Sequence, residues 1–221
     1  MHISEIFYSL QGEGVLTGVP SVFIRTAGCN LSCPWCDTRH AWSREDAAVW
    51  SVDKLLDAVA RWPQARHCVV TGGEPTLQPE LPELTRRLHA AGLHVTIETN
   101  ATRLPPDGLV CDLASLSPKL MAAGSGAPPP DPDVLRAWLW RGEHQLKLVC
   151  SGPGERREIL ALQEALGADL APGRLLLMPL TLSDPDASRR CREAVAQLCL
   201  EHGFRYATRL HLDLFGGRRG A

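Results

Sequence analysis

Short apolar segments alternate with longer amphipathic segments along this chain of 221 residues. The apolar segments are rich in Val, Leu and Ile without strict apolar–polar alternation, which is typical of parallel strands buried on both faces. Six such strands are predicted, at 21–26, 67–71, 94–99, 109–115, 145–149 and 174–179. The stretches between them are predicted to be helices, at roughly 51–61, 80–91, 132–141, 155–166 and 185–202.

Residues suited to helix ends support these boundaries. Ser51 and Asp184 are predicted N-caps, and Pro185 suits a first helical position, where a missing N–H costs no hydrogen bond. Four glycines follow predicted helices, where a left-handed residue commonly ends a helix: Gly92, Gly142, Gly167 and Gly203.

The alternation of strands and helices predicts an α/β fold with a parallel sheet and right-handed crossovers. Six units are too few for a closed eightfold barrel. We therefore predict a partial (β/α)6 TIM-like barrel, with a doubly wound sheet as the alternative. Residues 1–221 are interpreted as a single domain, with an N-terminal capping extension at 1–20 and a C-terminal tail at 211–221.

Composition narrows the classes of partner. The formal charge is −2, from 23 basic and 25 acidic side chains. Without a basic excess, we expect neither a nucleic acid nor an anionic membrane as partner, and a small substrate is favoured. The first residues contain Glu5 and lack the basic segment of a signal peptide, so a cytoplasmic protein is expected.

The chain has eight cysteines, and in a reducing compartment disulfides are not expected. Three of them, Cys29, Cys33 and Cys36, fall within eight residues with the spacing C-x3-C-x2-C. The others are scattered, most of them in apolar or helical contexts where buried structural cysteine is the ordinary interpretation: Cys68, Cys111, Cys150, Cys191 and Cys199.

Three clustered thiols leave a metal site incomplete. A structural zinc ion normally has four protein ligands, and a [4Fe–4S] cluster usually takes four cysteines. A cluster held by three cysteines would leave one iron open to a further ligand, which favours chemistry over a purely structural role. A zinc site completed by His40 or His67 remains an alternative, as do three cysteines without metal.

The unusual motifs share one position in the predicted fold. Each follows a predicted strand, at the end where barrels and open α/β sheets build active sites. The motifs are TAGCNLSCPWCDT (26–38), TGGEPTL (71–77), ETNAT (98–102), SPK (117–119) and MPLT (178–181). Five loops that meet at one edge of the sheet predict an active site there.

The cysteine spacing followed by GGEP at 72–75 resembles the radical S-adenosylmethionine (SAM) superfamily. The resemblance implies a partial barrel of that type, a [4Fe–4S] cluster on the three cysteines, and SAM on the fourth iron. Trp35 is then expected to cover the cluster. Gly73 would let the backbone approach SAM closely, and Glu74 would either fix this turn or receive the SAM amino group.

A more specific resemblance covers most of the chain. The segments SLQGEG (9–14), FIRTAGCNL (23–31), CDTRHAW (36–42), ETN (98–100) and SPK (117–119) resemble the 7-carboxy-7-deazaguanine synthase family. Membership implies a lyase of queuosine and 7-deazapurine biosynthesis, which contracts the ring of 6-carboxy-5,6,7,8-tetrahydropterin and releases ammonia. It also implies Mg²⁺, a homodimer, and a reductant such as flavodoxin or ferredoxin.

The resemblance also implies roles for individual residues. Thr38 matches the position that supplies a hydroxyl to Mg²⁺, whereas Asp37 is expected to fix the loop. Ser117 and Lys119 match a SAM-binding segment. The expected substrate-binding residues are Leu10, Gln11, Gly12, Glu13, Arg25, Thr71 and His211. Their chemistry suits a pterin, because amide, carboxylate and guanidinium groups match its polar edge and its carboxylate.

The chain departs from the family pattern at Ala101, where glycine is more usual, and its C-terminal tail aligns poorly. In some relatives a histidine and the terminal carboxylate reach the substrate, and His211 is the candidate for that histidine. Two further hypotheses remain open at this stage. One is a radical SAM activase that modifies a partner protein, and the other is a non-enzymatic iron–sulfur or zinc protein.

Overall fold

The computed structural model describes residues 1–220. Its nine strands all belong to one sheet. In chain order they are β1 (His2–Leu10), β2 (Pro20–Thr26), β3 (Ala48–Val49), β4 (His67–Gly72), β5 (His94–Thr99), β6 (Leu113–Leu116), β7 (His144–Cys150), β8 (Leu175–Pro179) and β9 (Arg205–Tyr206). All six strands predicted from the sequence are therefore confirmed.

The strand order in the sheet is β3-β1-β2-β4-β5-β6-β7-β8-β9. From β2 onwards neighbouring strands are parallel, whereas β1 is antiparallel to both β2 and β3. Because β3 and β9 do not pair, the sheet stays open, and the predicted partial barrel is confirmed. The N-terminal extension forms β1 and thereby lengthens the sheet beside the first parallel strand.

Six α-helices accompany these strands: α1 (Val52–Val59), α2 (Leu81–Ala90), α3 (Pro132–Leu139), α4 (Arg156–Leu166), α5 (Pro185–His202) and α6 (Leu210–Phe215). The first five are the predicted helices. Ser51 accepts a hydrogen bond from the Lys54 N–H, and Asp184 caps α5 with Pro185 as its first residue. The four glycines predicted to end helices all have positive φ.

One predicted strand begins later than its apolar pattern indicated. The prediction started it at Leu109, but β6 begins at Leu113. The Leu109 N–H donates to the Pro106 carbonyl, so the chain is still turning there. The connection from β5 to β6 contains no α-helix, and among the described residues it is the one crossover between the seven parallel strands that lacks one.

Four elements were not predicted as strands or helices. Three of them are too short for a periodicity to show: β3 and β9, with two residues each, and α6, with six. The fourth is the nine-residue β1, which was predicted only as part of a capping extension. The helices α1 to α5 bury apolar faces against one side of the sheet, where Leu84, Trp138 and Val195 belong to the main core. Among the described residues, no helix is long and apolar enough to cross a membrane.

Candidate active site

A large cavity opens at the carboxyl ends of the parallel strands. It encloses about 1200 Å³ of empty space, its open mouth included, and all predicted site residues except Glu74 line it. The cysteine loop follows β2, and TGG, ETN and SPK follow β4, β5 and β6. Because the strands are parallel, these loops meet at one edge of the sheet, as the sequence predicted.

The three clustered cysteines, Cys29, Cys33 and Cys36, all face this cavity. The Leu31 N–H donates to Cys29 Sγ at 3.4 Å, and the Thr38 N–H donates to Cys36 Sγ at the same distance. Burial raises the pKa of the Cys29 and Cys33 thiols. A metal ion bound by these sulfurs would therefore have to displace their protons, as thiolate ligation requires.

Trp35, Ser117 and Lys119 form one wall beside the cysteines. The Trp35 indole N–H donates to the Ala123 carbonyl at 3.1 Å, which fixes the ring in place. Lys119 Nζ lies 5.6 Å from the centre of that ring and donates to Ser117 Oγ at 3.0 Å. Burial lowers the pKa of Lys119, although the neighbouring Cys33 opposes this effect. The wall thus combines an aromatic face, a hydroxyl and a cation.

The TGGEP loop brings its backbone against the cysteine loop. A Cβ atom at Gly73 would lie 2.2 Å from the Gly28 carbonyl oxygen, so no larger residue fits there. The Gly73 N–H donates to Thr26 O at 3.1 Å, and the Glu74 N–H donates to Gly28 O at 2.8 Å. Glycine is therefore required at position 73 by backbone packing and by the cavity that it lines.

Glu74 points away from the cavity into the protein, where its exposure is 0%. Its Oε1 accepts hydrogen bonds from the Thr76 N–H, the Thr76 hydroxyl and the Thr99 hydroxyl. Its Oε2 accepts from the Asn100 N–H at 2.8 Å. Of the two roles considered for Glu74, this geometry favours fixing the turn, because the carboxylate joins the loops that follow β4 and β5.

A charged network around the buried Lys147 forms another part of the cavity wall. Lys147 on β7 donates to Glu13 Oε2 at 2.9 Å and to Glu98 Oε1 at 3.0 Å. Gln11 Nε2 also donates to Glu98 Oε1, at 3.3 Å. Burial would raise the pKa of Glu13, but Lys147, Arg209 and His211 hold it at about 2. Burial would lower the pKa of Lys147, but Glu13 and Glu98 raise it.

Arg25 lies at the mouth of the cavity and pairs with a carboxylate of this chain. Its Nε donates to Glu5 Oε1 at 2.6 Å, and its guanidinium carbon lies 5.5 Å from the centre of the Phe7 ring. Both Arg25 and Phe7 line the cavity. The ion pair leaves the terminal nitrogens of Arg25 in the fork geometry that suits a second carboxylate.

The C-terminal segment closes the remaining side. His211 lies on α6, and a Cβ atom at Gly12 would come within 2.0 Å of His211 Nδ1. The Leu210 N–H donates to Gly12 O at 2.9 Å. Arg209, which is buried, lies 3.6 Å from Glu13 Oε1 and 3.4 Å from Asp37 Oδ2. The terminal carboxylate considered for the substrate site belongs to Ala221, outside the described residues.

Known proteins resemble this chain over almost its whole length. The family model of the radical SAM superfamily matches residues 23–155. The chain is 39% identical to 7-carboxy-7-deazaguanine synthase from Halobacterium salinarum, over 96% of this chain and 90% of that protein. It is 36% identical to the enzyme of that name from Escherichia coli K12, over 95% and 96% of the two chains. This chain belongs to the 7-carboxy-7-deazaguanine synthase family of the radical SAM superfamily.

A solved structure agrees with this membership. QueE from Escherichia coli matches with a TM-score of 0.70 at 32% identity, covering 95% of this chain and 94% of that one. Membership makes the chain a radical SAM enzyme, and the family implies a [4Fe–4S] cluster and SAM. The activase hypothesis and the non-enzymatic hypothesis are therefore not favoured.

Neither histidine considered for a zinc site lines the cavity with the cysteines. His67 is at the amino end of β4, remote from the cysteine loop, with its ring 4.7 Å from that of His94. His40 Nε2 contacts Glu5 Oε1 at 3.3 Å. The three cysteines of this family member therefore face the cavity without either histidine as a partner.

Several cavity-lining residues were not singled out from the sequence: Phe7, Phe23, Leu31, Trp42, Glu98, Thr99, Lys147, Val149, Met178 and Arg209. A signal existed for Lys147, because a lysine inside the apolar segment QLKLV needs a buried partner. Glu98 belongs to the ETN segment that carried the resemblance. Arg209 gave no comparable signal, since its burial depends on how α6 docks.

Proposed function

We propose that this chain catalyses the conversion of 6-carboxy-5,6,7,8-tetrahydropterin to 7-carboxy-7-deazaguanine and ammonia. The proposal rests on one observation: the cysteine loop, the Trp35 wall and the Lys147 network face a single cavity. The same cavity presents the three cysteines and Trp35, which suit a cluster and SAM, and Gln11 and Glu13, which suit a pterin, so both ligands would share it.

Cys29, Cys33 and Cys36 would hold the [4Fe–4S] cluster, because soft thiolates suit iron. When bound and reduced, the cluster and SAM would supply the radical chemistry, a 5′-deoxyadenosyl radical able to take a hydrogen atom from the substrate. The protein's part is to position the reactants and to exclude water. Trp35, Gly73, Ser117 and Lys119 would bind SAM, and Glu74 would act indirectly by fixing the Gly73 turn.

The substrate would lie between β1 and the C-terminal segment. Gln11 and Glu13 offer acceptors to ring N–H groups, and the Arg25 guanidinium offers a fork to the carboxylate. Leu10, Gly12 and Thr71 would contact the substrate from the floor of the cavity, and His211 would close over it. Asp37 was expected to fix the loop. It also lines the same cavity and pairs with Arg209.

The proposed function includes a Mg²⁺ ion, with Thr38 as its protein ligand. The Thr38 hydroxyl donates to Asp37 Oδ1 at 2.8 Å, and both residues line the cavity. Mg²⁺ takes oxygen ligands and keeps few of them from the protein, so a single hydroxyl beside a carboxylate suits it. When bound there, the ion would neutralise the substrate carboxylate. Glu13 is a poor ligand by comparison, because Lys147 and Arg209 already compensate its charge.

The wider setting of the enzyme is proposed from family membership and sequence. We expect one functional unit over 1–221, a homodimer in the cytoplasm, and a reductant such as flavodoxin or ferredoxin. We expect neither a nucleic acid nor a membrane as partner. The near-neutral charge of the chain supports the last two expectations.

The test is anaerobic reconstitution followed by reduction and incubation with SAM, Mg²⁺ and the tetrahydropterin. Mass spectrometry should detect both 5′-deoxyadenosine and 7-carboxy-7-deazaguanine. Cys33→Ala should abolish both products and the iron–sulfur absorbance, whereas Cys199→Ala, a buried cysteine on α5, should retain them. Deoxyadenosine without deazaguanine from a fully loaded enzyme would contradict the proposed substrate.

A further inference from the structure

Lys147 occupies an unusual position for a lysine. It lies in the middle of β7, whose residues are all buried, and its side chain is only 2% exposed. Its Nζ lies at the cavity wall between two carboxylates, at 2.9 Å from Glu13 and 3.0 Å from Glu98. Desolvation of an ammonium group is costly, so such a residue persists only where its partners compensate it.

The hydrogen bonds to Glu98 are unevenly divided between its two oxygens, which a purely structural ion pair would not require. Glu98 Oε1 accepts from both Lys147 and Gln11, while no described residue donates a hydrogen bond to Glu98 Oε2. Glu98 lines the cavity, as Glu13 does. One ammonium thus stands between two carboxylates, and acceptor oxygen remains available to a ligand.

We propose that Lys147 is a positioning residue that keeps Glu13 and Glu98 together as acceptors for the N–H groups of the substrate's 2-amino-4-oxopyrimidine ring. This inference rests on the proposed function and adds the residue that sets ring specificity. An ionised carboxylate only accepts hydrogen bonds, whereas a protonated one also donates. A wall of acceptors selects a ring edge that presents donors, and it disfavours a 2-oxo analogue that presents a carbonyl oxygen there.

The physical reason is the repulsion between like charges. Both carboxylates contact the same ammonium within 3.0 Å, so without it they would remain as neighbours with no cation between them, and their repulsion favours the retention of one proton by the pair. Other charged groups around Glu13 do not replace Lys147, because none of them contacts Glu98. They are Arg209 at 3.6 Å, His211 on α6, Asp37 on the cysteine loop, and Lys119 beyond β6.

The test uses full-length reconstituted enzyme and Lys147→Met, which keeps the length and removes the charge. We expect its KM for the tetrahydropterin to rise about tenfold near pH 6 and less near pH 8.5, because the shared proton is lost at higher pH. Iron content and SAM affinity should stay unchanged. Lys147→Met/Glu98→Gln should lose this pH dependence, because no like-charge pair remains. Lys147→Met should also lose discrimination against the 2-oxo analogue.

A second readout requires no substrate. In Lys147→Met, we expect one carboxyl group of the Glu13–Glu98 pair to have a higher pKa in the folded state than in the unfolded state. Its protonated form then stabilises the folded state at low pH, and this stabilisation is lost as pH rises through the folded pKa. The melting temperature of the variant relative to wild type should therefore be higher near pH 5.5 than near pH 8, and Glu98→Gln should cancel the difference.

These readouts separate the two proposals. If wild-type enzyme forms no deazaguanine, the proposed function fails, while the melting curves still test the charge role of Lys147. Parallel melting and KM profiles for wild type and Lys147→Met would overturn the inference, as would an equal loss of pterin and SAM binding.

Discussion

Arg25 Nε lies 2.6 Å from Glu5 Oε1, so the guanidinium at the cavity mouth is held by a carboxylate of the N-terminal strand. The same Glu5 lies 3.3 Å from His40 on the cysteine loop and 3.5 Å from Arg219 near the C-terminus. Glu5 therefore connects β1, β2, the cysteine loop and the C-terminal segment beside the site expected for the substrate carboxylate.

Glu5→Gln should weaken pterin binding without weakening SAM binding. The amide keeps the shape but removes the charge that orients Arg25, so we expect the pterin KM to rise about tenfold. Steady-state kinetics together with SAM titration would check this. The matched control is Arg219→Gln, which breaks the exposed contact to the same carboxylate and should change KM less than about twofold. Equal effects of the two variants would contradict the assigned role.

Gly12→Ala should damage the site through His211. An added methyl group would lie 2.0 Å from His211 Nδ1, so α6 would have to move away from the cavity. We expect kcat/KM for the pterin to fall by about a hundredfold, since small displacements of positioning groups are costly. In contrast, a Cβ at Gly154 meets no atom within 4 Å, so Gly154→Ala should retain activity. Full activity of Gly12→Ala would show that α6 does not close over the substrate.

Glu74→Gln should destabilise the fold more than an ordinary surface change. An amide NH2 group cannot accept the hydrogen bonds that both carboxylate oxygens now receive from Thr76, Thr99 and Asn100. Leaving buried donors unsatisfied costs about 1–3 kcal/mol in the free energy of unfolding. Denaturant unfolding should show this loss, while Glu83→Gln on the surface of α2 should stay within about 0.5 kcal/mol of wild type. Unchanged stability would indicate that another group satisfies those donors.

Acid should destabilise the protein partly through Glu13. Its folded pKa of about 2 lies below the ordinary value of 4.5, so its ionised form contributes stability that is present above the ordinary value. That contribution, about 3 kcal/mol at most, is lost as pH falls from the ordinary value towards the folded pKa. Unfolding measured between about pH 6 and pH 3 should show a shallower acid loss in Glu13→Gln than in wild type. If stability fell equally steeply with acid in both proteins, a group other than Glu13 would be responsible for the acid loss.

Patterns within the sequence identified most of the site because chain order and strand direction are linked in a parallel sheet. Each loop that follows a strand must lie at the same edge, so Cys29, Gly73 and Ser117 could be placed together before any coordinates. The cysteine spacing together with GGEP then carried the family resemblance that implied the cofactor class. Glu74 shows the limit of this reasoning, since a residue in the correct loop can still direct its side chain into the core.

The sequence by itself determined six of the seven parallel strands, their order along the chain, the position of the cysteine loop and the family. These features depend on local periodicity, turn chemistry and ligand spacing, all of which are short-range. Only the tertiary structure decided that Lys147 meets Glu13 across 134 positions, that Arg209 reaches Asp37, and that α6 packs on Gly12. Such contacts depend on how distant elements close over one cavity, and no pattern within a short segment encodes a distance between segments.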